Sequence, residues 1–314
     1  MILQVLDGKL DIGVVELGKM IKLRTLLKED ETQDKLNDLS TAFKTASVPA
    51  YVSLLQKYSS DPKIMAVLKA GQTDGQPNDE KFEVAETAIP AKNLKPTQNE
   101  IGAEESLKNI CTDQYGSLDS FMKGNADVGS PIITYNGEYV LHGHHRWSQV
   151  YAANPDAKLK AINVTGKIDP KDILKAVHTA IAVDAGETKT ISANLKSGNL
   201  LTFTSKNIYG YVLDNLQDKA RKVWGNYGYD EDTSIAKHIV KNISMMIKRS
   251  KPDEWAPKRD YMPQPEKSGS EKWGVALKQG AVNLLNPKKN DVKKESINKK
   301  LDSLLKNTII KVKK

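Results

Sequence analysis

The chain has 314 residues, 39% hydrophobic and 27% charged, which is enough to bury a sizeable core and to build two or three units. No stretch approaches the roughly 18 uncharged apolar residues of a membrane span, and Asp7, Lys9 and Asp11 interrupt what a secretory signal would need, so no membrane partner and a cytoplasmic location are expected. The single Cys111 excludes an internal disulfide and a cysteine metal cage, and the charge is concentrated: 10 Lys against three acids between Lys288 and Lys314 supply +7 of the chain's +8.

Residues 1–70 read as an N-terminal helical unit. Ile21, Leu23, Leu26 and Leu27 begin an apolar face, and Leu36, Leu39, Phe43, Val52, Leu54, Leu55, Met65 and Leu68 continue it at three- and four-residue steps. Residues 71–81, GQTDGQPNDEK, contain no large apolar side chain and make a linker. The pattern then turns to mixed α/β over residues 82–166. Phe82–Ile89 reads as a strand, Glu104–Cys111 and Leu118–Met122 as helices, and Pro131–Tyr135 as a second strand. Asn136-Gly137 predicts a type I′ hairpin turn into Glu138–Leu141, after which a helix starts at Gly143 and runs to about Ala153. Leu159–Val164 closes this module as a strand.

A helical C-terminal unit is expected over residues 167–249. Asp169 and Pro170 open its first helix as cap and first-turn proline, with Ile173, Leu174, Val177 and Ile181 facing inward. From Ile208 to Arg249 two helical patterns follow, one through Val212, Leu216, Ala220 and Val223, the other through Ile235, Ile239, Ile243 and Met246. Residues 250–271, with four prolines, read as an extended connector that Trp255 and Tyr261 anchor to a neighbour. Residues 272–314 end in a basic amphipathic helix. Its apolar stripe, Ile297, Leu301, Leu304, Leu305, Thr308 and Val312, needs a protein partner or the protein's own body to cover it. Its Lys288, Lys289, Lys293, Lys294, Lys299 and Lys300 suit the phosphates of nucleic acid, or else form a solvated tail. The expected fold class is therefore α/β of the α+β kind, a small mixed-sheet module between helical units.

Chemistry concentrates at His142, Gly143, His144, His145 and Arg146, where a strand passes through a glycine into a helix. The first N–H groups of such a helix lack partners and carry partial positive charge, and glycine lets a ligand approach the backbone. Arg146 adds a planar fork of donors suited to phosphate. His144 and His145 either bind phosphate and act as acid or base near neutral pH, or cap and pack. His142 and His144 share a face of an extended chain, but a third ligand is not visible and no metal is expected. Phosphoryl transfer would need a carboxylate, for which Glu100 is the candidate, with Glu104, Glu105 and Asp113 as alternatives. The Gln98 amide either contacts the ligand or shapes a turn. Trp147 and Tyr151 lie at i and i+4, placed for base stacking or for the core.

The run PIITYNGEYVLHGHHRWSQVYAANPDAKLKAINV, with its hairpin, G-x-x-R turn, helix and closing strand, resembles the ParB/sulfiredoxin fold over roughly residues 82–165. The corresponding box is G-E-R-R in ParB proteins, where it cradles nucleotide phosphates, and G-C-H-R in sulfiredoxin, whose reactive cysteine is replaced here by His144. The form G-H-H-R is similar to ParB-like proteins described as nucleases or amino-acid kinases, often of phages and mobile elements. AKNLKPTQNEIG resembles the loop that faces the turn, without the Pro-Arg pair of chromosome-partitioning ParB. The resemblance implies phosphate binding by Gly143, His144, His145, Arg146 and Gln98, catalysis if present by His144, His145 and Glu100, and a nucleotide, CTP or ATP/ADP with Mg²⁺, as ligand. Three functions follow from it: a nucleotide-dependent nuclease or kinase, a non-catalytic DNA-associated module, or a virion structural protein. For the last, MIKLRTLLKED from Met20 resembles the cationic leaders of some myovirus proteins and Leu27-Lys28-Glu29 their L-x-E cleavage pattern, although ordinary amphipathic packing of a helix from Met20 to Lys28 is the preferred reading. A phage origin would place the protein in the host cytoplasm or the virion.

Overall fold

A computed structural model describes residues 31–70, 82–186, 188, 198–264 and 272–278. The leader-like segment from Met20, the 71–81 linker, the end of the connector and the Lys288–Lys314 tail lie outside the described residues. The fold is mixed α/β, a sheet with helices on both faces.

The apolar pattern of residues 31–70 is cut into three helices. Residues 31–45 form α1, Val48–Ser59 form α2 and Pro62–Ala70 form α3. The cuts fall where caps and prolines demand them: Ser47 caps α2 through the Ala50 N–H, and Asp61 accepts from Lys63 at 3.0 Å ahead of Pro62. The strands are β1 (Glu83–Pro90), β2 (Lys95–Pro96), β3 (Asn125–Ala126), β4 (Ile132–Tyr135), β5 (Tyr139–His142) and β6 (Lys158–Thr165). Their order is β1-β6-β4-β5-β2, with β3 pairing β6. The β4–β6 and β2–β5 ladders are parallel, while β1–β6 and β4–β5 are antiparallel. The hairpin turn forms as expected from its residues, with positive φ at Asn136 (52°) and Gly137 (69°).

Side chains alternate across the sheet and so divide the interior. Ile132, Val140, Leu159 and Ala161 face one side, joined by α4 (Ala103–Thr112), α5 (Leu118–Met122) and α6 (His144–Ala153). Over these pack α8 (Ser205–Asn215), α9 (Asp218–Gly225) and α10 (Asp232–Arg249). Ile133, Tyr135, Tyr139, Leu141 and Val164 face the other side against α1, α2, α3, α7 (Pro170–Ala185) and α11 (Trp273–Lys278). The N-terminal helices thus share a core with the sheet. Residues 167–249 divide between faces, α7 going to one and α8–α10 to the other.

Two helices were expected between Ile208 and Arg249; there are three. Leu216 takes an extended conformation, and the next N–H, that of Gln217, donates to the Cys111 carbonyl at 2.8 Å rather than to its own helix. A tertiary hydrogen bond interrupts a periodicity that runs through Val212, Leu216 and Ala220 as if unbroken. The opposing carbonyls at the end of α6 are met by α10: His238 Nε2 donates to the Ala153 carbonyl at 2.8 Å and Asn242 Nδ2 to that of Ala152 at 2.9 Å.

Leu55 in α2 and Ile239 in α10 are fully buried in opposite cores. Replacing either with alanine should cost about 2–5 kcal/mol. Far-UV circular dichroism and tryptophan fluorescence, followed together in urea, should report one coincident transition that shifts with either substitution; two separate transitions would mean that the N-terminal helices fold independently.

Candidate functional site

The site begins with the end of β5. His142 closes the strand, and Gly143, at φ 91°, caps α6 without a side-chain hydrogen bond. A Cβ at this position would stand 2.7 Å from Cγ2 of Ile132, so both the positive φ and the close packing require glycine. Three residues on, Arg146 folds back over the turn. Its Nη1 donates to the Ser130 carbonyl at 2.9 Å, and Nε and Nη2 lie 3.2 Å from where that Cβ would be.

The histidines serve another end. His144 is 5% exposed, and its Nε2 accepts the Thr97 N–H at 3.2 Å. His145 Nε2 accepts the Gly102 N–H, also at 3.2 Å. The two rings therefore pin both ends of the 97–102 loop to the first turn of α6. Each nitrogen so used must be unprotonated, and burial agrees. Desolvation, with His142 and His145 adding like charge, holds His144 well below the ordinary histidine range. Desolvation and the nearby Arg259 guanidinium bring His145 to about 4. At neutral pH neither ring carries a charge toward a phosphate.

The rest of the loop is fastened in the same way. Thr97 Oγ1 donates to the Val140 carbonyl at 2.7 Å, and the Gln98 amide, buried, donates to the Glu100 carbonyl at 2.7 Å. Asn99 binds the connector twice, its N–H to the Pro257 carbonyl and its Nδ2 to that of Ala256, both at 3.0 Å. Asn199 Oδ1 takes the Ile101 N–H at 3.0 Å. Glu100 lies 3.9 Å from Lys258, and Glu105 lies 3.7 Å from Arg259. The connector is itself held to the sheet edge by Trp255 against Tyr139, ring centroids 6.2 Å apart, and by Asp253 with Lys95 at 3.5 Å. His178 Nε2 donates to the Tyr261 carbonyl at 2.9 Å from a ring that desolvation lowers to about 4.

Comparison with protein-family models, curated proteins and solved structures finds no match. The geometry alone assigns the roles. Arg146 lines a cavity of about 580 Å³ between the end of α4, α5 and α6, whose other walls include Tyr115, Ser117, Ser120, Asp127 and Gln149. Tyr115 is 75% exposed there. The structure thus brings Gly143 and Arg146 together and puts Arg146 on a cavity, whereas His144, His145, Gln98 and Glu100 form the loop's fastenings. Trp147 and Tyr151 are fully buried in edge-to-face contact, centroids 5.9 Å apart, with Trp147 Nε1 donating to the Ala91 carbonyl at 2.9 Å. They belong to the core. The six tail lysines lie outside the described residues. Among the described residues no three His, Cys, Asp or Glu side chains are grouped to share a metal ion, and no helix is long and apolar enough to cross a membrane.

Sequence reasoning missed the cavity walls and the connector's part in the site. Gln149 was the accessible one, three residues beyond Arg146 on the same helical face. Asn99 and Asn199 lie a hundred residues apart, and no local pattern joins them.

A neutral buried histidine stabilises the fold with a definite sign. The folded value near 4 lies below the ordinary 6.5, so the contribution is fully present above about pH 6.5 and lost as pH falls toward 4. Urea denaturation at pH 7.5 and pH 5.0 should show lower stability at the acidic value. His145→Gln, which keeps an acceptor but no titrating ring, should reduce the difference; an unchanged difference would remove His145 as a contributor.

Proposed function

We propose that the chain is a phosphate-binding module of the ParB/sulfiredoxin-like kind and that its ligand is a nucleotide, with the phosphates on Arg146. One observation carries this reading: a guanidinium buttressed by the Ser130 carbonyl over a glycine that tolerates no side chain, opening onto a cavity of nucleotide size. The Ser130 carbonyl holds the plane of the fork at the cavity wall, and a planar guanidinium so placed suits bidentate contact with a phosphate. The remaining lining fits the rest of such a ligand. Ser117, Ser120 and Gln149 are neutral hydrogen-bonding groups for a sugar, and Tyr115 presents an aromatic face to a base. Asp127 is the carboxylate of the lining, placed to meet a Mg²⁺ that accompanies the phosphates.

Binding is favoured over catalysis through the histidines. A general base needs a free lone pair near the reacting proton and a pKa near the working pH. His144 and His145 have given Nε2 to backbone N–H groups and are held neutral far below pH 7.

A thermal-shift titration with CTP, ATP, ADP and GTP, each with Mg²⁺, tests the reading on wild type and Arg146→Ala together. At a hundred times Kd a ligand stabilises by about 2.7 kcal/mol, several degrees for a chain of this size, and the variant should lose the shift. Tyr115→Ala should weaken nucleotide at least about fivefold while leaving inorganic triphosphate unaffected. Equal shifts in wild type and Arg146→Ala, or none with any nucleotide at millimolar concentration, would overturn the proposal in favour of a scaffolding role.

A further inference from the structure

A second groove lies between α8 and α10, away from the α6 turn. It is shallow and open to solvent, lined by Ser205, Lys206, Tyr209, Lys237, Val240 and Lys241, with a volume of about 380 Å³. Lys237 and Lys241 are one turn apart on α10, and Lys206 comes from the first turn of α8, so three lysines from two helices line the same depression as Val240 and Tyr209, their charged ends in solvent around it. All three lysines are exposed, and among the described residues none makes an ion pair. The neighbouring cations of these helices are treated differently. Arg221 is bound by Asp218 at 2.7 Å and Asp232 at 2.8 Å, and Lys219 lies 3.6 Å from Asp113. Carboxylates are thus available to the helical layer and are spent elsewhere, while the groove holds like charges that repel one another unless an anion joins them.

The helices that carry these lysines do not yield. Ile208 and Val212 from α8 and Ile235, Ile239 and Ile243 from α10 are buried in one core, which fixes the spacing of the backbone positions from which the three lysines project. A tyrosine flanked by lysines on rigid helices is what a strand with unstacked bases can use, because each base offers a π face and each linkage a phosphate. Paired bases hide their faces, so a duplex would leave the ring idle. The lining has no Asn, Gln, Arg or carboxylate with which to read base edges.

We infer that the α8–α10 groove binds the phosphodiester backbone of a single-stranded nucleic acid, without sequence preference, through Lys206, Lys237 and Lys241, with a base on Tyr209. This site is independent of the Arg146 cavity, and either can fail without the other.

Fluorescence anisotropy of labelled oligothymidylate with the full chain, across a salt series, tests it. Four proteins are needed: wild type, Lys206→Glu/Lys237→Glu/Lys241→Glu, a control with the same charge change at exposed Lys63, Lys69 and Lys158, and Tyr209→Leu, which keeps the apolar packing. The Lys-rich stretch from Lys288 is common to all four and cancels from the comparison. The groove variant should bind at least about tenfold more weakly than the control at moderate salt. Its plot of log affinity against log salt should be shallower by about 2, three phosphates at about 0.7 each. Tyr209→Leu should lose at least about fivefold while keeping the wild-type slope. Equal weakening by groove and control variants would reduce the effect to net charge and overturn the site. A duplex bound as tightly as the single strand, or polyglutamate displacing the strand at equal charge with Tyr209→Leu unaffected, would likewise overturn it, the latter pointing to an acidic protein partner.

Discussion

Two hydrogen bonds in which backbone amides donate to uncharged imidazoles, Thr97 to His144 and Gly102 to His145, set the geometry of the module. They attach a loop arriving from β2 to the first turn of a helix departing from β5. Without them the buried Gly102 amide would lose its imidazole acceptor, a cost of about 1–3 kcal/mol, and the Thr97 amide would keep only the Val140 carbonyl at 3.3 Å. With them, α4 begins where α6 begins. The connector is then clamped onto the same loop by Asn99, so three segments distant in sequence converge on one helical turn. This makes neutrality of the histidines a structural requirement, because a proton on either Nε2 would set two donors face to face.

Arg146 is the complementary piece. The histidines face the loop, whereas Arg146, one residue further round the helix, is turned toward Gly143, Ser130 and the cavity. Adjacent residues of one turn thus divide scaffold from ligand contact, as helical geometry obliges them to do. Both ends of α6 are held by imidazoles: His238 caps its last carbonyls from α10, while His144 and His145 hold its start. The C-terminal helices are therefore part of what keeps the turn in place.

Much of this was legible beforehand, for reasons that can be named. The hairpin followed from Asn136-Gly137, because both positions need positive φ; α7 followed from Asp169-Pro170; and β6 followed from its apolar run. The break at Leu216 was not legible, since the interaction that causes it, Gln217 with Cys111, is tertiary. At the turn itself, Gly143 and Arg146 could be located by the strand-to-helix junction they occupy. The clustered histidines drew attention to the right turn, but their role was undecidable from residue type. Histidine is equally suited to charge and to acceptance of a hydrogen bond, and burial decides between them. Tyr115 and Ser117 could not be joined to Arg146 at all, because the cavity that unites them exists only once α4, α5 and α6 have packed.

The most direct examination of these ideas is nitrogen-15 NMR of histidine-labelled protein through a pH titration, which reports which ring nitrogen bears the proton. The account predicts that His145 stays neutral from pH 8 down to about pH 5 and that His144 stays neutral through the range in which a free histidine titrates, each with an unprotonated Nε2 that accepts a hydrogen bond. Rings that titrate near 6.5, or that carry a proton on Nε2 at neutral pH, would contradict it and return both residues to the pool of free acids and bases.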